Sequence, residues 1–495
     1  MLKTQPNERP LAQLGQRIAL GGMVLYVVSA PHSIAAAEIS IAISALGWLI
    51  RTVGTGTTGL RRSRFDLLIL LFLVWTLISS IWSAEPSISV PKFQSSWVVF
   101  LFYLTRAIVK QRTVLLLVGI LIISGATGVL YSLYDLARGR GVIVESLIPN
   151  SPFEEVGIQP GDAIWRINGQ RVYSVADIDE AIRSAPPDQA VAVSIISRGE
   201  HVERRASAPI SFPRTPSVTS GVTGSSRTHR FRASGWTRHY ETFSELLQII
   251  AQLALGITLA NLSNHGVNKA FRIGLLLAAI LAVGIVLTAM RTVLIAFVIG
   301  ASVIAWRASR GLAKVILTFA LFFVLAFGAV VVWQTRADNA LSFADPSASL
   351  RGQVARVGLS RVLLHPILGH GMDAMKRHWT EWGFPGTDMI HLHSTPLQLA
   401  FDRGLPALVL WLWLMIEFWL YFARASRKAS EVSETNAYGV LLGGLGALTG
   451  FLASSMVNYN FGDAEVALLF WWLMGILLVL STDYTDSTSN ALKVE

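Results

Sequence analysis

Residues Phe271-Arg272-Ile273-Gly274-Leu275-Leu276-Leu277-Ala278-Ala279-Ile280-Leu281-Ala282-Val283-Gly284-Ile285-Val286-Leu287-Thr288-Ala289-Met290-Arg291 decide the fold. Two arginines bracket a run without a charge, and about 20 apolar residues are enough to cross a bilayer as a helix. Equivalent runs recur near 16–31, 33–50, 65–82, 93–109, 113–134, 243–262, 290–306, 313–333, 396–421, 437–456 and 463–481. With 270–288 they predict an all-α polytopic membrane protein of about 12 transmembrane helices. The first run ends Val28-Ser29-Ala30, which imitates a signal-peptide cleavage site. A second span follows at once, so an uncleaved first helix is expected.

Composition agrees. Hydrophobic types make up 52% of the 495 residues and charged types 15%, against about 25% charged in soluble domains. The net charge of +10 first points to nucleic acid. Nearly half of the 41 Lys and Arg, however, fall in alternate short loops, at Lys3 to Arg17, Arg51 to Arg64, Arg106 to Arg112, Lys269 and Arg272, Arg307 to Lys314, and Arg424 to Lys428. The short loops 31–32, 83–92 and 457–462 carry only Lys92. Positive charge marks the cytoplasmic side. Both termini are therefore expected in the cytoplasm, two long segments outside it, and no nucleic-acid partner. The chain has no cysteine, which excludes disulfides, thiol nucleophiles and cysteine-held metals.

The first outer segment, 138–211, reads as a small α/β domain inserted between membrane helices 1–5 (1–135) and 6–9 (243–333). Val142–Leu147 and Ala163–Ile167 have strand character, and Asn168-Gly169 suits a hairpin turn. Ser174-Val175-Ala176-Asp177 is a capping box. Residues 190–197 and 201–208 read as a closing hairpin. The order Gly141-Val142, Ser151-Pro152, Gly157, Gly161-Asp162, Asn168-Gly169 resembles a PDZ domain of the type found in bacterial periplasmic proteases. By that resemblance a peptide ligand would be held at Gly139, Arg140, Gly141 and Val142. Residues 212–242, rich in Ser, Thr, Gly and Arg, are expected to be a flexible linker; its end, from Gly235 through His239 to Phe243, is expected at the membrane surface.

The second outer segment, 334–395, lies between spans 9 and 10 and precedes membrane helices 10–12 and a tail (396–495). It holds Arg351, Arg356 and Arg361, and half of the ten histidines: 365, 370, 378, 391 and 393. Arginine forks recognise phosphate oxygens, and a histidine can take the proton of an attacking hydroxyl. Together they fit transfer chemistry on a phosphorylated, membrane-anchored substrate. His365 and His370 are expected to be loop structure, and Trp379 and Trp382 interface anchors. His391 and His393, two apart, could face one way and share a metal. No acidic residue stands at ligand spacing, so no metal and no cofactor are expected.

The run Arg351 … His365-Pro366-x-x-Gly369-x-Gly371 … His391-Leu392-His393-Ser394 … Gly404-Leu405-Pro406 resembles the O-antigen ligase and polymerase family. Its ligase signature, His-(Asn/Ser/Gln)-x9-Gly, is met by His393-Ser394 and Gly404. The resemblance implies a metal-independent, inverting glycosyltransferase. It would move glycan from undecaprenyl diphosphate to an acceptor hydroxyl on the periplasmic face of a bacterial inner membrane. His393 would be the base. Arg291, Arg351 and Arg356 would contact donor diphosphate, Arg351 being the better of the last two, with His391 and His239 as possible support. Met290 stands where the family usually has serine before the arginine. The acceptor would be lipid A–core, another glycan as in a polymerase, or a protein as in an O-oligosaccharyltransferase. A transporter of lipid-linked sugars is the rival from another class. An intramembrane metalloprotease needs His-Glu-x-x-His, and none of the ten histidines precedes Glu.

Overall fold

The computed structural model describes residues 10–149, 151–155, 157–186, 191–196, 204–205, 220–228, 232–237, 239–309, 311, 314, 346–386 and 391–485. The chain divides into two compact units, one of 1–126, 241–286 and 290–495, the other of 127–240 and 287–289.

The first unit is helical. Its elements are α1 (Pro10–Ser29), α2 (Ile34–Thr55), α3 (Asp66–Ile81), α4 (Pro86–Lys92), a 3-10 turn (Phe93–Val99) running into α5 (Phe100–Ile108), and α6 (Gln111–Arg138). After the insert come α9 (Tyr240–His265), α10 (Lys269–Leu287), α11 (Arg291–Ala308), α12 (Pro346–Leu364), α13 (Ala374–His378), α14 (Thr395–Glu431), α15 (Thr435–Ser455) and α16 (Ala464–Thr485). Nine helices among the described residues are long and apolar enough to cross a membrane, so the chain is a multi-pass membrane protein. That is fewer than the twelve expected, for three local reasons. The apolar helix Asp66–Ile81 is only 16 residues long. Pro91 and the 3-10 turn break up the span expected at 93–109. Of the span expected at 313–333 only Lys314 is among the described residues.

Inside the helical unit, polar side chains bond across helices where lipid offers no partner. Gln248 and Gln252 of α9 bond to each other; Gln248 reaches the Ala447 carbonyl (3.5 Å) and Gln252 the Phe297 carbonyl (3.2 Å). Gly256 and Gly443 let the backbones of α9 and α15 touch there.

α14 breaks near its start. Gly404 has φ 78° and ψ 171°, a conformation open to glycine. The break frees carbonyls of the preceding turn, and the loop after α12 docks on them. The amides of His370 and Gly371 bond to the Phe401 and Asp402 carbonyls at 2.8 and 2.9 Å, and the Leu405 amide bonds to the Pro366 carbonyl at 2.7 Å. The two glycine-rich signatures of the sequence are thus the halves of one joint. Trp379, Trp382, Phe384, Phe401, Leu392 and Val354 form the core beside it. The two tryptophans are therefore core residues and not the interface anchors expected, because burial among aromatics leaves them too little surface to anchor anything.

The second unit carries the sheet. Its strands are β1 (Arg140–Leu147), β2 (Ala163–Ile167), β3 (Gln170–Arg171), β4 (Val193–Ile196), β5 (Arg204–Arg205) and β6 (Val222–Thr228), with α7 (Pro152–Glu155) and α8 (Val175–Arg183). The order is β5-β4-β2-β1-β6, with β3 paired to β2. Val142, Val144, Phe153, Ile164, Ile167, Ile178 and Val193 fill one face. Ser174 and Asp177 cap α8 reciprocally, as their spacing foretells. Within the stretch expected to be a linker, Val222–Thr228 forms a strand along β1. Its start is tied down by the Ser220 amide donating to Asp179 of α8 at 2.7 Å.

Candidate functional site

The chain bends at His391-Leu392-His393, just ahead of α14. His393 has φ 50°, a left-handed conformation costing about 1 kcal/mol for a residue with a Cβ. The cost is met by contacts on both sides. Ser394 caps α14, its hydroxyl accepting from the Leu397 amide at 3.4 Å. Thr395 bonds to the Asn458 carbonyl through both amide and hydroxyl at 3.1 Å, and its hydroxyl reaches Asn460 at 3.0 Å. Leu392 is buried against Gly358 of α12. Its amide donates to Gln398 at 2.8 Å.

This turn sets the His391 and His393 rings 4.3 Å apart, with Tyr459 5.9 Å from His391. Arg351 of α12 raises the positive potential at both rings and makes a 3.6 Å ion pair with Glu241 at the start of α9. Burial, then His391, then Arg351 push His393 down to about 3. Burial also lowers His391, and Glu241 opposes it. Burial, the largest cause for each ring, disfavours the imidazolium, so both rings are neutral near pH 7 and keep a lone pair. A neutral imidazole beside a half-exposed guanidinium can accept a proton while the arginine holds an anion.

Of the expected site residues, His391, His393 and Arg351 come together. Arg291 is the exposed first residue of α11. Its neighbour Thr292 accepts from Asn458 at 3.3 Å, the residue whose carbonyl receives Thr395, so the start of α11 is stitched to the histidine turn. Arg356 is exposed; it lies five positions beyond Arg351, about 140° around the helix. His239 is exposed in the other unit, its ring stacked on Tyr240. Gly139 and Gly141 have φ 77° and 65° and start β1, with Arg140 paired to Thr228 and Val142 in the core. β1 has β2 on one side and β6 on the other, so the ends of the sheet order are β5 and β6.

Glu241, Tyr459, Gln398 and Asn458 join the site without having been singled out in the sequence. Glu241 alone carried a signal, as an acid heading an apolar run. Among the described residues no group of three or more His, Asp or Glu could hold a metal ion.

Comparisons with known proteins follow the same division. A 66-residue stretch is 29% identical to the magnetosome formation protease MamE of Magnetospirillum gryphiswaldense, covering 13% of this chain and 8% of that protein. A 70-residue stretch is 26% identical to a probable periplasmic serine endoprotease DegP-like of Hahella chejuensis, covering 14% and 15%. The chain thus spans only a small part of the length of either relative. Residues 143–195 match the PDZ domain, which starts just after Val142. Residues 276–412 match the O-antigen ligase family and include Arg291, Arg351, Arg356, His391, His393 and Gly404. The chain therefore carries a region that matches the O-antigen ligase family, which supports a membrane glycan-transfer function, and an inserted stretch that matches the PDZ domain.

Proposed function

We propose that this protein transfers a glycan from undecaprenyl diphosphate to an acceptor hydroxyl at the periplasmic face of a bacterial inner membrane, inverting the anomeric centre without a metal. The observation that carries the reading is the neutral His393 held beside Arg351 inside the ligase region. His393 takes the acceptor proton as the hydroxyl oxygen attacks the anomeric carbon. The bond from that carbon to the phosphate oxygen breaks, and undecaprenyl diphosphate leaves with the electron pair. Arg351 and Arg291 meet its charge; Arg356 is the weaker candidate because it points from another face of α12.

Burial, His391 and Arg351 together lower the basicity of His393. A diphosphate on Arg351 offsets the guanidinium charge and so raises the basicity of His393. The acceptor is lipid A–core, another glycan repeat or a protein. Both termini lie in the cytoplasm, following the basic loops. The inserted domain favours a protein or peptide partner, which would add as a strand at the edge formed by β6, with Gly139 leading into β1 and Arg140–Val142 forming its start. The test is transfer by purified protein in liposomes with lipid-linked glycan and acceptor, with no energy source. His393→Ala should form the glycosidic bond about 1,000-fold more slowly. Undiminished transfer by this variant would sink the base assignment, whereas donor movement without bond formation by the unaltered protein would mark a transporter.

A further inference from the structure

We propose that Gln398 and Asp402 are positioning residues for the transfer, holding His393 in place through the peptide group of Leu392. The inference rests on His393 being the base. Gln398 lies one turn beyond the cap Ser394, and Asp402 one turn further, so all three share a face of α14. The Gln398 amide nitrogen donates to Asp402 Oδ1 at 2.8 Å. That bond fixes which end of the amide faces the turn: its oxygen accepts the Leu392 N–H, also at 2.8 Å. Leu392, Gln398 and Asp402 are 2%, 3% and 3% exposed. Water therefore does not compete for these bonds, and leaving any of them unmade is costly.

The Leu392 N–H belongs to the residue between the two histidines. Holding it fixes the His391–Leu392 peptide plane, one residue ahead of the left-handed His393. The Leu392 side chain completes the fit. A Cβ on Gly358 would lie 2.7 Å from its Cδ2, and Gly358 is two turns from Arg351 on the same face of α12. One residue thus relates the base to the phosphate-binding arginine, and Asp402 and Gln398 keep that residue in register. Without the acceptor at Asp402 the Gln398 amide is free to flip and present N–H to N–H.

The experiment compares Gln398→Leu, Asp402→Leu, Asp402→Asn, His393→Ala and the double variant Gln398→Leu/His393→Ala in the full chain, in liposomes with lipid-linked glycan. Displacing a reacting group by about 1 Å costs about 100-fold, so Gln398→Leu and Asp402→Leu should lower kcat by roughly that factor with donor KM unchanged. Asp402→Asn keeps a side-chain oxygen for Gln398 and should retain kcat within about threefold. The double variant should be no slower than His393→Ala alone, since residues acting as one unit are not additive. Wild-type kcat for Gln398→Leu alongside an inactive His393→Ala overturns the inference, as does an Asp402→Asn as impaired as Asp402→Leu. An active His393→Ala instead overturns the base assignment, which separates the two failures. Should Gln398→Leu fail to fold, the two Asp402 variants decide.

Discussion

Two histidine pairs sit in the same outer segment. His391 and His393 have rings 4.3 Å apart, and His365 and His370 have rings 4.6 Å apart. Burial holds His370, like His391 and His393, below the usual imidazole range. They part company in what surrounds them. Nε2 of His370 is bonded to the Arg361 carbonyl at 3.0 Å, and its ring lies against Phe401 and Trp382. Among the described residues nothing is hydrogen-bonded to the His393 ring, and Arg351 stands beside it. Ring spacing and lowered basicity therefore do not make a site. What sets His393 apart is a ring with no hydrogen bond among the described residues and the Arg351 charge acting on it.

The sharpest way to break this comparison is to delete each histidine in turn. His393→Ala should lower transfer by about 1,000-fold, within the range for losing a general base, with the protein still folded and inserted. Arg351→Ala should cost about 100-fold and also move the pH profile. Because Arg351 helps to lower His393, its loss should shift the acid limb of kcat/KM to higher pH; an unmoved limb would separate the two residues. His370→Ala should do the reverse of His393→Ala, costing about 2 kcal/mol of stability by thermal unfolding while each folded molecule keeps its kcat.

A third histidine gives the smallest effect. His378 bonds Glu85 at 2.7 Å and Glu381 at 2.6 Å, which raises it, while Glu85 is lowered chiefly by that same bond. The raised His378 contributes stability that is full below its unfolded value near 6.5 and lost as pH rises through the folded one. The lowered Glu85 contributes above its unfolded value near 4.5 and loses this as pH falls through its folded one. The clamp is thus complete between about 4.5 and 6.5. His378→Ala should flatten a small decline in melting temperature above that window. The same decline in the variant would show that the clamp is not its source.

Much of this was legible. Apolar length gave nine of the twelve expected spans among the described residues, and Ser174, Asp177, Asn168 and Gly169 marked the insert, because caps and turns are local chemistry. The family resemblance names His393 and Arg351, although nothing local shows the left-handed conformation at His393. β6 was missed for a physical reason. Val222–Thr228 is a sheet-end strand of Ser, Thr, Gly and Arg, without the alternation of a half-buried strand; its pairing is dictated by β1, about 80 residues earlier. Gln398 and Asp402 were hidden in the same way. In sequence they are polar residues at the start of a span, and only the broken helix reveals what they hold.

That break has a consequence for the spacing of the signature. The stretch from the Ser394 cap to Gly404 works as a phase gauge: one end aims the histidine turn, the other receives the loop from His365 to Gly371. Each added or removed residue would turn one end against the other by about 100°, aiming His393 away from Arg351 while every side chain stayed unchanged. The nine residues between Ser394 and Gly404 are thus counted as much as chosen. Insertions or deletions there should be selected against even where substitutions are tolerated.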